Sequence, residues 1–189
     1  QNCTTKEGMI YDSITNFYDN PDDIRADALG AKYERIPGGP YLGRDTLDTM
    51  RITPELTKKI NSYFSFPVKI VKARYRYALK DDFMLSYIHS DQVKKDGWHV
   101  IIPLTKGEQT DGLYMWEHVT EGRYCKNYEK IIRDTQNLSK WKVWHTEPYQ
   151  YNKAVIVNYA YFHSSIPTTG FGTTLADSRL LHIIEVVSE

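Results

Sequence analysis

The sequence is poor in the features that would narrow a function by themselves. It has two cysteines, Cys3 and Cys125, too few and too far apart for a disulfide framework or a cysteine-based zinc site. Two free thiols in a reducing compartment are expected. Excess charge of either sign is absent: Lys plus Arg and Asp plus Glu both total 24. No overall field therefore draws the chain to nucleic acid or an anionic membrane, and neither is expected as a partner. No window approaches the about 18 consecutive apolar residues of a transmembrane helix. The polar opening, Gln1–Met9, carries no signal-peptide stretch, so a cytoplasmic protein is expected. Internal repeats and low-complexity segments are absent as well.

What the chain does have is ordinary globular chemistry and an excess of tyrosine. Its 189 residues, 41% apolar and 25% charged, fit one domain with a sizeable core. The 15 tyrosines supply large half-buried surfaces with a polar tip, as sheets and clefts use. The expected organisation is a single domain over 1–189, with a helical lead-in over 1–67 and a β core over 68–189. Asn20-Pro21-Asp22-Asp23 reads as a helix start, with a cap, a proline at the first position and acids at the positive end of the dipole. Gly30 is its natural stop. The proline- and glycine-bearing stretch from Ile36 to Arg44 reads as loop. Thr53-Pro54-Glu55 opens a second helix, with Leu56, Ile60 and Phe64 recurring every four residues.

From about residue 68 the apolar period changes to two. Val68, Ile70, Ala73, Tyr75, Tyr77 and Leu79 approximate one alternating run, and others follow at Trp98–Leu104, Leu113–Trp116, Ala154–Phe162 and Leu180–Val187. Many short strands after a helical start predict a mainly β protein with N-terminal helices, a β-barrel or jelly roll with helices buttressing one sheet. Tyr124 to Lys142 fits a helix or an irregular insert better. The Lys- and Arg-rich strand from Lys69 to Lys80 reads as a solvated face, with an anionic partner as the alternative.

The chemistry concentrates at Ser86-Tyr87-Ile88-His89-Ser90-Asp91. Residues two apart on an extended chain point the same way, so His89 and Asp91 can chelate one ion. One carboxylate and two imidazoles make the facial triad of non-haem Fe(II), which leaves positions open for oxygen and a chelating co-substrate. A His-x-acid pair is weak evidence, since roughly one is expected by chance at this composition, and His145-Thr146-Glu147 is a second. Order separates them. Between His89 and the next strand-borne histidine, His163, there is room for the several strands a jelly roll needs. Between His145 and His163 there is room for little more than one. Arg179 follows His163 as a cation for a far carboxylate. Catalytic and metal-ligating candidates are thus His89, Asp91 and His163. His99 reads as a satisfied strand histidine, His118 and His145 as surface residues beside acids and turns. His182 points to the opposite face from Arg179 and is expected to pack structurally.

These residues resemble the 2-oxoglutarate- and Fe(II)-dependent oxygenases, in their prolyl-hydroxylase-like branch, over about residues 70–187. The resemblance rests on Tyr75-Arg76-Tyr77, Tyr87 to Asp91, Trp98 to Leu104, Asp111 to Trp116, Val155 to Ser164 and Ser178 to Ile184. It implies a double-stranded β-helix of the cupin-like, jelly-roll kind, with iron held by His89, Asp91 and His163. Arg179 would pair with the far carboxylate of 2-oxoglutarate through a planar fork, and Tyr77, or alternatively Tyr75, would donate to the same carboxylate. The implied reaction consumes O2 and 2-oxoglutarate, releases succinate and carbon dioxide, and hydroxylates or demethylates a small-molecule or peptide substrate that the residues do not name. Trp98, Trp116, Tyr87 and Tyr161 are candidates to line the cleft, and Ile166 to Gly172 reads as an extended turn or lid. Two other readings remain open: a cupin-like metalloenzyme that does not use 2-oxoglutarate, and a non-catalytic β-sandwich binding protein.

Overall fold

Period-two alternation makes the strands, and a computed structural model shows how they assemble. The structure describes residues 11–35, 43–47, 51–82, 88–91, 97–107, 110–167 and 169–189. Cys3, Tyr87 and most of the expected loop after Ile36 lie outside them. A six-stranded antiparallel sheet runs β1-β7-β4-β9-β3-β2, and a three-stranded one runs β6-β5-β8. The strands are β1 (Tyr11–Ile14), β2 (Arg44–Asp45), β3 (Val68–Ala78), β4 (Gly97–Pro103), β5 (Gly112–His118), β6 (Trp141–Pro148), β7 (Ala154–Asn158), β8 (His163–Ile166) and β9 (Arg179–Ser188). Among the described residues there are also three α-helices, α1 (Pro21–Gly30), α2 (Pro54–Asn61) and the single-turn α3 (Tyr128–Ile131), and two 3-10 turns, Leu138–Lys140 and Leu175–Asp177. Among the described residues no helix is long and apolar enough to cross a membrane.

Alternation gives the large sheet two different faces. Its outer face presents Ala73 and Tyr75 of β3, Trp98, Val100 and Ile102 of β4, Ala154 and Ile156 of β7, and Leu180 and Ile184 of β9. These pack against Ile24 and Ala28 of α1 and Leu56 and Ile60 of α2. Pro21 sits in the first turn of α1 as expected, though the Asn20 side chain makes no capping hydrogen bond. Thr53 does cap α2, accepting from the Leu56 N–H at 3.1 Å. The inner face sends Ile101, Val155, Val157, Leu181 and Ile183 against Leu113 and Met115 of the small sheet, closing a jelly-roll-like arrangement around a second core. A third core, Ile88, Trp116, Cys125, Ile131, Trp141 and Phe162, lies beneath the segment between β5 and β6.

Three departures from the expected strands have local causes. The slip in alternation between Ile70 and Ala73 is a register shift of β3 against β9 at Ile70/Lys72. Strand β6 falls partly in the expected helix or insert, because its pairing with β5 shifts register between Met115 and Trp116 and breaks the period that would reveal it. The run expected from Ala154 to Phe162 ends at Asn158, then turns into the short, polar β8. β1 and β2 are four and two residues long, too short to show a period.

Candidate metal centre

The site lies between the sheets, at the end where β8 meets the segment carrying His89. His89 and His163 pair as an antiparallel bridge, with the His89 N–H donating to the His163 carbonyl at 3.1 Å and the His163 N–H to the His89 carbonyl at 2.9 Å. Asp91 is tied separately, its N–H donating to the Tyr159 carbonyl at 2.8 Å. These backbone bonds bring three side chains together across the long interval between residues 89 and 163. One ligand atom from each of His89, Asp91 and His163 lies within 4.8 Å of the others. His89 Nε2 is 3.6 Å from Asp91 Oδ1, and His163 Nε2 is 3.3 Å from Asp91 Oδ2.

The protonation pattern favours ligation. His163 Nδ1 faces the Tyr161 carbonyl at 2.9 Å, and a carbonyl can only accept, so Nδ1 carries a proton and Nε2, facing Asp91 at 3.3 Å, is the nitrogen that a metal would take in place of a proton. Asp91 Oδ2 is buried and receives no well-aligned hydrogen bond, although imidazole nitrogens of His99 and His163 lie 3.0 and 3.3 Å away. A buried carboxylate oxygen in that condition is costly unless a cation satisfies it. Burial pushes the Asp91 carboxyl up, but the charges of His163 and His99 outweigh it and hold the group well below the usual carboxylate range. Two imidazoles and an ionised carboxylate fit a first-row divalent metal.

Beyond the triad a pocket of ≈ 80 Å³ runs inward. Ile101, Leu113, Leu181 and Ile183 form its apolar wall, and Arg74, Arg76, Arg179, His99, Tyr149 and Ser165 its polar one. Arg76 holds Asp45 with both nitrogens of its fork, at 2.6 and 2.7 Å. Arg74 lies 3.2 Å from Asp45 and 3.3 Å from Glu185. Arg179 differs. It is buried, its Nη1 donates to the Pro167 carbonyl at 3.3 Å, and among the described residues no carboxylate lies within ion-pair distance of it. Burial lowers its pKa, with Tyr149 and Asp111 opposing; a guanidinium stays charged regardless. Burial likewise raises the Asp111 carboxyl, with Arg179 pulling the other way. Burial raises the Tyr149 phenol as well, which keeps it a donor.

Of the expected site residues, His89, Asp91, His163 and Arg179 meet at this pocket. Tyr75 and Tyr77 do not. They alternate with Arg74 and Arg76 on β3 and so face the other side of the sheet. Tyr75 is fully buried and donates to Asp27 Oδ2 at 2.7 Å, while Tyr77 packs edge-on against Tyr33. Trp98 belongs to the outer core and Trp116 to the third, so neither lines the pocket. Arg74 and Arg76 are not on a solvated face, although Lys69, Lys72 and Lys80 of the same stretch are exposed. The turn after Ile166 is pinned to the end of β3, with the Gly170 N–H donating to the Asp82 carbonyl at 3.3 Å and that of Phe171 to Ala78 at 3.3 Å. His118 is buried against Asp134 at 2.9 Å rather than at the surface, and His182 packs in the outer core, bonded to the Tyr18 hydroxyl at 2.7 Å. Residues that motif reading passes over are Tyr149, Glu185 and Asp45. A signal for Glu185 was present: it shares parity on β9 with Arg179, Leu181 and Ile183.

No family model matches this chain, and no curated protein matches it in sequence. Solved structures do match in shape. HygX from Streptomyces hygroscopicus, with nickel and 2-oxoglutarate bound, aligns with a TM-score of 0.64 and 12% identity, over 95% of this chain and 83% of that one. The non-heme alpha ketoglutarate dependent epimerase SnoN from nogalamycin biosynthesis aligns at 0.61 and 12%, over 95% and 78%. The carbocyclase SnoK from the same biosynthesis aligns at 0.62 and 12%, over 100% and 88%. At these identities the likeness establishes a shared fold, the jelly-roll-like fold on which those enzymes are built.

Proposed function

We propose that the chain is an Fe(II)- and 2-oxoglutarate-dependent oxygenase on a double-stranded β-helix, and that it oxidises a substrate C–H bond, with hydroxylation as the outcome. The observation that carries this reading is the pairing of a His-Asp-His cluster with a buried arginine, Arg179, that has no carboxylate partner within ion-pair distance among the described residues, in one pocket. The shared fold with enzymes described as binding or depending on 2-oxoglutarate supports it.

In this reading His89, Asp91 and His163 hold the metal, and Arg179 binds the far carboxylate of 2-oxoglutarate. Tyr149, rather than Tyr77 or Tyr75, is the phenol available to donate to that anion, with Ser165 as a further hydroxyl along the same wall. Bound iron with 2-oxoglutarate and O2 supplies oxidative decarboxylation to succinate and carbon dioxide, and with it the power to break a C–H bond. The protein's share is positioning and exclusion. Ile101, Leu113, Leu181 and Ile183 keep water from the co-substrate's methylene chain, and the apolar surround strengthens the pairing of Arg179 with an anion. Asp45 and Glu185 neutralise Arg74 and Arg76, so that Arg179 is the arginine left for a ligand. SnoN is described as an epimerase and SnoK as a carbocyclase, so enzymes of this shape reach different outcomes, and hydroxylation is proposed here as the simplest.

The test is binding before turnover. Protein dialysed anaerobically against Fe(II) is expected to retain stoichiometric metal and then to bind 2-oxoglutarate in a calorimeter. His163→Ala should lose the metal. Failure of the wild-type protein to retain metal, or 2-oxoglutarate binding that is indifferent to metal, would sink the reading.

A further inference from the structure

The triad explains what could hold a metal but not what holds Asp91. Among the described residues its backbone is held through the Tyr159 carbonyl, and a backbone bond does not set the rotation of the side chain. A carboxylate that rotates samples orientations in which neither oxygen faces the two imidazoles, which weakens a metal site by the entropy of reordering it.

His99 supplies the restraint. It stands on the inner face of β4 with Nδ1 3.0 Å from Asp91 Oδ2 and Nε2 3.3 Å from Glu185 Oε1. Glu185 is its direct cross-strand neighbour on β9. Glu185 in turn lies 3.3 Å from Arg74 on β3, Arg74 lies 3.2 Å from Asp45 on β2, and Asp45 lies 2.6 Å from Arg76. Carboxylates and basic side chains thus alternate across four adjacent strands and end on Asp91. The imidazole plane is held as well. Tyr159 packs on it, with ring centroids 4.6 Å apart. Gly97 permits that approach, because a Cβ there would fall 2.4 Å from the Tyr159 ring. One residue, Tyr159, therefore grips the Asp91 backbone through its carbonyl and the His99 ring through its face.

We propose that His99 is the positioning residue of the metal centre: clamped between Asp91 and Glu185, it fixes the rotation of the Asp91 carboxylate and so keeps an oxygen presented to the space between His89 and His163. This rests on the metal reading above. His99 acts through Asp91 and is not itself a ligand, because its two ring nitrogens each lie against a carboxylate, Nδ1 3.0 Å from Asp91 Oδ2 and Nε2 3.3 Å from Glu185 Oε1.

The two ring nitrogens can be tested apart. Asn places its amide nitrogen near the position of Nδ1, Gln near that of Nε2. Anaerobic titration of Co(II) into apo-protein, read by its visible ligand-field absorption, gives affinity and coordination together without turnover. His99→Leu is expected to weaken Co(II) binding about tenfold to hundredfold, the range for loss of a group that orients a metal ligand. His99→Asn should recover most of that loss with the wild-type spectrum, and His99→Gln should not. Melting of each apo-protein checks that the fold survives. Wild-type affinity in His99→Leu would overturn the proposal. So would an altered spectrum with equal loss in His99→Asn, which would make His99 a ligand. A wild-type protein that binds no Co(II) would instead take down the metal centre itself, and this inference with it.

Discussion

The two faces of the six-stranded sheet are built from the same strands, one residue out of phase, and they follow opposite rules. The outer face buries Tyr75, Trp98, Val100, Leu180 and Ile184 under α1 and α2. The inner face carries Arg74, Arg76, His99 and Arg179 into a pocket, with Glu185 bonded behind His99. One face contributes stability by burying apolar area. The other sets charges beside an apolar core of Ile101, Leu181 and Ile183, and offsets the desolvation of Arg74, Arg76, His99 and Glu185 by pairing, while Arg179 is left without a carboxylate within ion-pair distance among the described residues. What the difference teaches is that the fold is held from outside the site, so that residues inside can be arranged for chemistry.

That division has consequences that can break it. The largest effect belongs to Trp98→Ala on the outer face, which should destabilise the protein by about 3–5 kcal/mol. Measured by chemical denaturation, the loss should come without a change in metal affinity of the folded fraction. Next is Arg179→Met on the inner face. Removing a charge-assisted pair should weaken 2-oxoglutarate binding to the Fe(II) protein by about 1.5–3 kcal/mol, a tenfold or larger rise in Kd, with metal retention unchanged. Tyr75→Phe sharpens the contrast: it deletes the hydrogen bond to Asp27 and should cost about 1 kcal/mol of stability, yet leave 2-oxoglutarate binding as it was. A weakened Kd in Tyr75→Phe would mean that the parity of β3 has been misassigned.

An effect of the same size as that of Tyr75→Phe, but dependent on pH, lies just beyond the end of β3. Burial pushes the Asp82 carboxyl up, but the Leu79 N–H, Arg35 and Arg44 together hold it below its ordinary value. A carboxylate with a depressed folded pKa contributes stability that is fully present above its unfolded value, near pH 4, and lost as pH falls through the folded value. Asp82→Asn should therefore cost about 1 kcal/mol at pH 7. The gap from wild type should close in acid denaturation below about pH 4.

The outer face was the legible one. Its apolar residues recur at a period that a sequence displays, and Pro21, Gly30 and Thr53 mark the helices that cover it. The inner face was legible only where chemistry is concentrated in unusual residues. His89, Asp91, His163 and Arg179 stand out by type and order, whereas Arg74, Arg76 and Glu185 resemble a solvated strand until β9 and β2 are seen beside them. Tyr75 and Tyr77 precede His89 in the chain, as the expected co-substrate donors do, but their parity on β3 turns them to the outer face, toward Asp27 and Tyr33. Tyr149 follows β6, whose period is broken by its register shift with β5. His99 is a partnered strand histidine, as its place in β4 predicts. Its partner became visible only when the fold brought Asp91 to it.

The most direct test of the account is optical. Titrating 2-oxoglutarate anaerobically into the Fe(II)-loaded protein should produce a weak visible metal-to-ligand charge-transfer band, saturating at one co-substrate per iron, and Arg179→Met should require far more 2-oxoglutarate to reach it. An iron-loaded protein that shows no such band, or one whose band survives in Asp91→Ala, would contradict the claim that this pocket joins a His-Asp-His metal centre to a 2-oxoglutarate site.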